Sequence, residues 1–219
     1  MKRIQDSITA KSERVVLVWL TERLPGWVTS DMLTTLGVLG AALSFVGYGM
    51  SDRGTLFLWL AIAGLVLNWF GDSLDGTLAR QRKAERPKYG FFLDHMTDTF
   101  AMGFIAIGIG LSPYVQLTVG MAALLGYYML VIQSMITSHA TGDFRISFNG
   151  LGPTEIRLFI IICTIAGIFL PIPHFDIGGA DLSIYDVLMI VAVFLMVVMC
   201  VTESLKTLRV LAVEDPPRR

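Results

Sequence analysis

Six apolar stretches, each near the length a helix needs to cross a lipid bilayer, recur along this chain at 29–50, 54–79, 91–111, 114–138, 152–172 and 182–204. About 20 apolar residues rising about 1.5 Å each cover the hydrocarbon core, so the pattern predicts six transmembrane helices. Helix breakers stand between them: Gly54, Pro113, Gly142 with Gly150 to Pro153, and Pro171 to Pro173 followed by Gly178 and Gly179. No internal repeat or flexible linker divides the chain, so residues 1–219 are expected to form one membrane-embedded domain. Ahead of the first span, Val15, Val16, Val18, Trp19, Leu20 and Leu24 alternate with Glu13, Arg14, Glu22 and Arg23, spacings that suit an amphipathic helix over about 12–24 lying on the membrane surface. The expected fold class is an all-α integral membrane protein, a surface helix followed by a six-helix transmembrane bundle.

Composition agrees. With 54% hydrophobic and 16% charged residues and a mean hydropathy of +0.65, the chain carries more apolar surface than a soluble domain could hide. A net charge of −1 provides no basic field, so nucleic acid is excluded as a partner and membrane lipids take its place. Cys163 and Cys200 lie in apolar runs without metal-ligand or redox spacing and read as small hydrophobes. The N-terminus lacks the long apolar core and small-residue cleavage site of a signal peptide and is expected to be retained. Lysine and arginine gather at the N-terminus, in the second connection (Arg80, Arg82, Lys83, Arg86, Lys88), in the fourth (Arg145, Arg157) and at the C-terminus, while the alternate connections hold only Arg53. By the preference of basic loops for the cytoplasm, both termini are expected there, in a multi-pass protein of a bacterial-type inner membrane.

Asp72 and Asp75 close the second span, and Asp94 and Asp98 open the third, at similar depth. Residues three or four apart share a helix face, so Asp72, Asp75, Gly76 and Ala79 form one stripe and Gly90, Asp94 and Asp98 another. Four carboxylates converging at a bilayer edge repel and are costly to desolvate, so either most are protonated or cations neutralise them. Two divalent cations would balance them, and an all-oxygen set favours Mg²⁺, with Mn²⁺ as a substitute. Such paired ions can clamp a pyrophosphate during phosphoryl transfer. Gly76 and Gly90 permit close approach of a ligand or helix, Ala79 keeps the face narrow, and Arg80 can grip phosphate in bidentate fashion.

Asp72-x-x-Asp75-Gly76-x-x-Ala79-Arg80 followed by Gly90-x-x-x-Asp94-x-x-x-Asp98 resembles the signature of the CDP-alcohol phosphotransferases. The usual pattern separates arginine from glycine by eight residues; here residues 81–89 make nine. The family's surface helix and six membrane helices are similar to the arrangement that hydropathy predicts. Thr29-Ser30-Asp31-Met32-Leu33-Thr34 is similar to a family segment of the nucleotide site, with Ser30 in place of the usual proline, which makes Asp31 and Thr34 further candidates; an ordinary helix N-cap explains the same residues equally well. The resemblance implies Asp72, Asp75 and Asp94 as metal ligands, Asp98 as ligand and general base, and Gly76, Ala79 and Arg80 at the CDP-linked donor. The implied reaction moves a phosphatidyl or phosphoalcohol group to an alcohol acceptor with release of CMP, in phospholipid biosynthesis, by an enzyme for which a homodimer is a further implication.

The motif does not choose the substrates. Acceptor selection is expected from the later helices, where His139, Arg145, Glu155 and Arg157 are the polar residues near the cytoplasmic face. Gly152-Pro153-Thr154-Glu155 resembles a segment of the aminoalcohol phosphotransferases, which use CDP-choline or CDP-ethanolamine with diacylglycerol. Glu155 also reads as a first-turn acid placed by the helix dipole, and His139 as a solvated interfacial residue. Arg157 lies a turn into an apolar run and needs a carboxylate or a phosphate. In a reading of another class, the four aspartates line the cation path of a transporter or channel subunit; that reading leaves Gly76, Ala79 and Arg80 unexplained.

Overall fold

The computed structural model describes residues 3–4, 10–141, 144–145 and 152–216, with side chains for 13–141 and 152–216 apart from residue 177. Its helices are α1 (Ala10–Thr21), α2 (Ser30–Gly49), α3 (Leu56–Gln81), α4 (Pro87–Leu111), α5 (Leu117–Thr141), α6 (Pro153–Phe169) and α7 (Ile184–Glu214). Two short ribbons accompany them: β1 (Arg3–Ile4) runs parallel to β2 (Phe144–Arg145), and β3 (His174–Ile177) antiparallel to β4 (Ala180–Ser183). Among the described residues, α2, α3, α5 and α7 are long and apolar enough to cross a membrane. The helix expected over 91–111 begins earlier, at Pro87, and its first turns carry Lys88, Asp94, His95 and Asp98; α6 has 17 residues.

Local chemistry sets the boundaries. Thr29 caps α2 by accepting from the Met32 amide at 3.2 Å, and proline opens both α4 and α6, where its missing N–H costs nothing. Ser183 and Asp186 satisfy each other's amides, at 3.0 and 2.9 Å, and so fix the start of α7. That helix runs ten residues past the expected 204, because Glu203 and Lys206 pair along it at 2.6 Å and keep the polar residues on the helix. The β3–β4 hairpin was not expected. Gly178 and Gly179 adopt φ of 65° and 85°, the consecutive positive values that a two-residue I′ turn requires, so this pair makes a turn between strands and not merely a helix stop.

The closest pairing is α2 with α3, and glycine makes it possible. A Cβ at Gly40 would meet Asn68 N at 2.5 Å and Gly64 O at 2.7 Å, and Gly37, Gly47 and Gly71 face backbone in the same way. Ser44 donates to the Ala61 carbonyl (2.9 Å) and Asn68 Nδ2 to the Gly37 carbonyl (3.0 Å) across this seam. On the other side of α2, Gly108 of α4 lies against Phe45, and Gly120 of α5 against Ala106 and Gly110 of α4. The small-residue stripes are therefore occupied within the chain. α7 packs on α5, and α3 and α4 touch each other only lightly, because α2 lies against both.

α1 docks on α3. Leu17 is buried with Leu74 and Leu78, while Val15, Val16, Val18 and Trp19 remain exposed. One oxygen of Glu13 accepts from Trp69 Nε1 (3.0 Å), Ser73 Oγ (3.3 Å) and Thr154 Oγ1 (2.7 Å), fastening α1 to α3 and α6 together. Arg82, one residue past α3, donates to the carbonyls of Leu24, Pro25, Gly26 and Val28 and so holds the connection into α2.

Candidate active site

Carboxylate oxygens of Asp72 on α3 and of Asp94 and Asp98 on α4 lie within 4.8 Å of one another. All three side chains are partly exposed, so the group opens to the outside and is not sealed in the core. The two helices do not bring them together by packing face to face. They flank α2, and Asp72, Asp98, Asn68 and Thr97 line a small cleft closed by Thr34 and Gly37 of α2. An all-carboxylate group of this span suits a hard divalent cation.

Asp75, the remaining aspartate, stands outside that group. Three residues along an α-helix leave about 60° between side chains, and this turns Asp75 from Asp72 toward α2. There its carboxylate, 8% exposed as a residue, accepts from Thr34 Oγ1 at 2.5 Å and from the Gly76 amide at 2.5 Å. Ser30 Oγ donates to the Asp75 carbonyl at 2.9 Å. The segment from Thr29 to Thr34 thus has two roles: Thr29 caps the helix, and Ser30 and Thr34 latch α2 onto the aspartate helix. Asp31 points elsewhere, taking Arg86 Nη2 at 2.5 and 2.6 Å on its two oxygens.

Of the motif's small residues, Gly76 faces the guanidinium of Arg80, which would lie 3.4 Å from a Cβ there, and no atom of the described residues lies within 4 Å of one at Gly90. Among the described residues, neither glycine serves helix packing, unlike those along α2. Ala79 is half-buried on the same turn, and Arg80 is exposed, its Nη2 donating to Thr77 Oγ1 at 3.1 Å.

The residues expected at an acceptor site separate. Arg157, 2% exposed, brings Nη1 to 2.8 Å from Asp72 Oδ2 and Nη2 to 4.0 Å from Asp98 Oδ1, which joins α6 to the aspartate group. The Nη1 contact is off the line of a hydrogen bond, and Nε has no acceptor among the described residues. Glu155 accepts from the Gly152 amide at 2.9 Å and so contributes to the start of α6. His139 is exposed in the last turn of α5. The side chain of Arg145 lies outside the described residues.

Three participants were not anticipated. Asn68 precedes Asp72 by one turn and is buried in an apolar run, a signal that its polarity alone could have raised. Thr97 adjoins Asp98 and lines the same cleft. Tyr127 of α5 stands within electrostatic reach of Asp98, Arg157 and Asp72, and with Ile156 it lines an apolar cavity of about 210 Å³ between α4, α5, α6 and α7. No spacing along the sequence predicts that meeting, because it depends on how α5 and α6 pack.

Comparison with known proteins accords with this geometry. The chain is 24% identical over 193 residues to cholinephosphotransferase 1 of Danio rerio, covering 81% of this chain and 49% of that protein, so it spans about half the length of this relative. The family model described as CDP-alcohol phosphatidyltransferase matches residues 27–201, which include every element from α2 into α7 and all four aspartates. The chain belongs to the CDP-alcohol phosphatidyltransferase family.

Proposed function

We propose that this protein is a membrane-embedded transferase that moves a phosphatidyl or phosphoalcohol group from a CDP-linked donor to an alcohol acceptor, releasing CMP in phospholipid biosynthesis. The observation that carries this reading is the convergence of Asp72, Asp94 and Asp98 within 4.8 Å, on the residues of the family signature. Their donor chemistry fits divalent cations. Asp72, Asp94 and Asp98 would hold them, with Asp75 beside them, and Mg²⁺ or Mn²⁺ bound there would supply positive charge to the pyrophosphate and to departing CMP.

Asp98 is the candidate base by its place in the family signature, and its carboxylate is partly exposed. It would take the proton of the acceptor hydroxyl as that oxygen bonds to the phosphorus bearing the donor alcohol. The bond from this phosphorus to the oxygen bridging toward the cytidylate breaks, and CMP leaves with the electron pair. Gly76 and Gly90 leave room beside the carboxylates, and Ala79, Arg80 and Thr34 border the donor side. Asp31 would contribute there after exchanging Arg86 for the nucleotide.

The lipid partner finds support in the apolar cavity. It follows α6 from Ile156 to Gly167, about 16 Å along the helix axis, the reach of a fatty chain, and begins at the neighbour of Arg157. In the membrane, α4 and α6 would complete six spans, α1 would lie in the interface with Val15 and Trp19 toward lipid, and both termini and the carboxylates would face the cytoplasm. The likeness to a cholinephosphotransferase favours, as a second reading of the substrates, CDP-choline or CDP-ethanolamine with diacylglycerol.

The test is CMP release and product mass spectrometry with the purified protein, offering CDP-diacylglycerol, CDP-choline and CDP-ethanolamine, with and without Mg²⁺, beside Asp98→Asn. Metal-dependent turnover that disappears in the variant supports the mechanism and identifies the donor. A folded protein inert toward every donor across a broad acceptor panel refutes it, and cation flux in sealed vesicles would then be measured.

A further inference from the structure

Arg157 is a buried cation whose donors are poorly used. A guanidinium carries five N–H groups in a planar fork, and leaving such donors unpaired in the interior is costly. Among the described residues Nε has no acceptor and Nη1 lies beside Asp72 without hydrogen-bond alignment, although only 2% of the residue is exposed. An arginine optimised as a permanent structural tie would align its fork with one carboxylate. This one is shared at 2.8 and 4.0 Å between Asp72 and Asp98, two of the three carboxylates whose oxygens converge. Its backbone sits in the second turn of α6, anchored by Pro153 and the Glu155 contact to Gly152, so the long side chain can swing while its base stays fixed.

We propose that Arg157 is a positioning residue that occupies the carboxylates while no divalent ion is bound, yields those oxygens when one arrives, and then turns its unused donors to a phosphate oxygen of the substrate. A guanidinium and a divalent cation compete for the same Asp72 and Asp98 oxygens, so metal entry has to displace the arginine. Its neighbours Ile156 and Tyr127 line the apolar cavity, which puts the displaced guanidinium where the phosphate of a lipid-linked substrate meets the carboxylate group. Metal and phosphate then favour each other through one side chain, and linkage makes the effect reciprocal. Only the phosphate half of this exchange rests on the transferase reading.

The experiment titrates the purified full chain in detergent with Mn²⁺, following free Mn²⁺ by its paramagnetic resonance signal, for the wild type, Arg157→Gln and Arg157→Lys, with and without CDP. Without CDP, Arg157→Gln is expected to bind Mn²⁺ more tightly than the wild type, by about fivefold or more, the lower end of usual couplings between sites. Arg157→Lys, which keeps the charge but loses the fork, is expected between them. CDP should tighten Mn²⁺ binding in the wild type and do so much less in Arg157→Gln. Equal or weaker Mn²⁺ binding in the glutamine variant overturns the exchange and makes Arg157 a support for the ligands. If that variant does not fold, the lysine variant decides on the same criterion, tighter binding being required. Absence of Mn²⁺ binding in every protein would instead strike at the transferase reading, whereas binding indifferent to Arg157 strikes at the exchange alone.

Discussion

Replacing Gly40 by alanine tests the seam on which the aspartate group depends. The added Cβ would lie 2.5 Å from Asn68 N, 2.7 Å from Gly64 O and 2.9 Å from Leu67 C, all backbone atoms that no rotamer change can move. Carbon contacts are most favourable at about 3.5–4.0 Å, so α2 and α3 must part by about 1 Å. Overpacking costs about 1–3 kcal/mol; a collision with backbone on three sides belongs at the upper end, and the helix gains up to about 1 kcal/mol from losing a glycine. The net cost is about 2 kcal/mol, or a melting temperature lower by about 4–8 °C for a chain of this size. Thermal unfolding in one detergent at one scan rate measures it, with Gly49→Ala as the control, since no atom of the described residues lies within 4 Å of a Cβ there. The same displacement shifts α3, and with it Asp72, relative to α2, so Mn²⁺ binding should weaken together with stability. A Gly40→Ala protein melting within about 1 °C of its parent, beside an unchanged Gly49→Ala, would refute the close approach of α2 and α3.

Glu13→Ala removes the acceptor shared by Trp69, Ser73 and Thr154 and should cost about 1.5–3 kcal/mol, seen as a lower melting temperature and faster proteolysis ahead of α2. Gly90→Ala meets no atom of the described residues within 4 Å, so stability should hold while CMP release falls about tenfold or more if substrate passes there; retained activity would remove Gly90 from the site. Asp94→Asn should keep the fold yet weaken Mn²⁺ binding by about 100-fold or more, since even outer-shell changes cost 10–100-fold. Unchanged affinity would move the metal away from α4.

The apolar runs made most of the helices legible, because a span of about 20 residues leaves a signal that no nearby polar residue erases. Their ends were less so. The hairpin at Gly178 and Gly179 depends on the φ values of two residues, and α7 extends beyond its apolar run by pairing charges on its surface. At the site, the spacing from Asp94 to Asp98 is one helical turn and reads correctly as one face. From Asp72 to Asp75 it is three residues, and the remaining rotation hands Asp75 to Thr34 of α2. Two stripes of aspartates on consecutive helices do not show which helix stands between them, and α2 lies against both α3 and α4. That arrangement follows from Gly37, Gly40 and Gly47 accepting the backbone of α3, and from Gly108 accepting Phe45, matches between surfaces that no single helix displays.

How a chain tolerates acidic residues at one level of an apolar assembly before any cation arrives is an electrostatic question, and the structure divides it among different devices. Asp75 is the most buried and accepts two short hydrogen bonds, from Thr34 and the Gly76 amide. Asp72 and Asp98 are less buried and share the guanidinium of Arg157 from α6. Asp94 lies toward the start of α4, partly exposed, with His95 Nδ1 at 3.8 Å. The division predicts unequal consequences of neutralisation. Without metal, Asp72→Asn leaves Arg157 buried with less compensating charge and should destabilise the protein, because a buried charge that loses its partner costs about 3–5 kcal/mol. Asp94→Asn relieves repulsion at a partly exposed position and should leave stability equal or higher. Adding Mn²⁺ should stabilise the parent clearly more than either variant. Equal melting temperatures for both variants without metal would show that Arg157 draws nothing from Asp72, and the internal ion pair would then have no part in holding the unfilled site together.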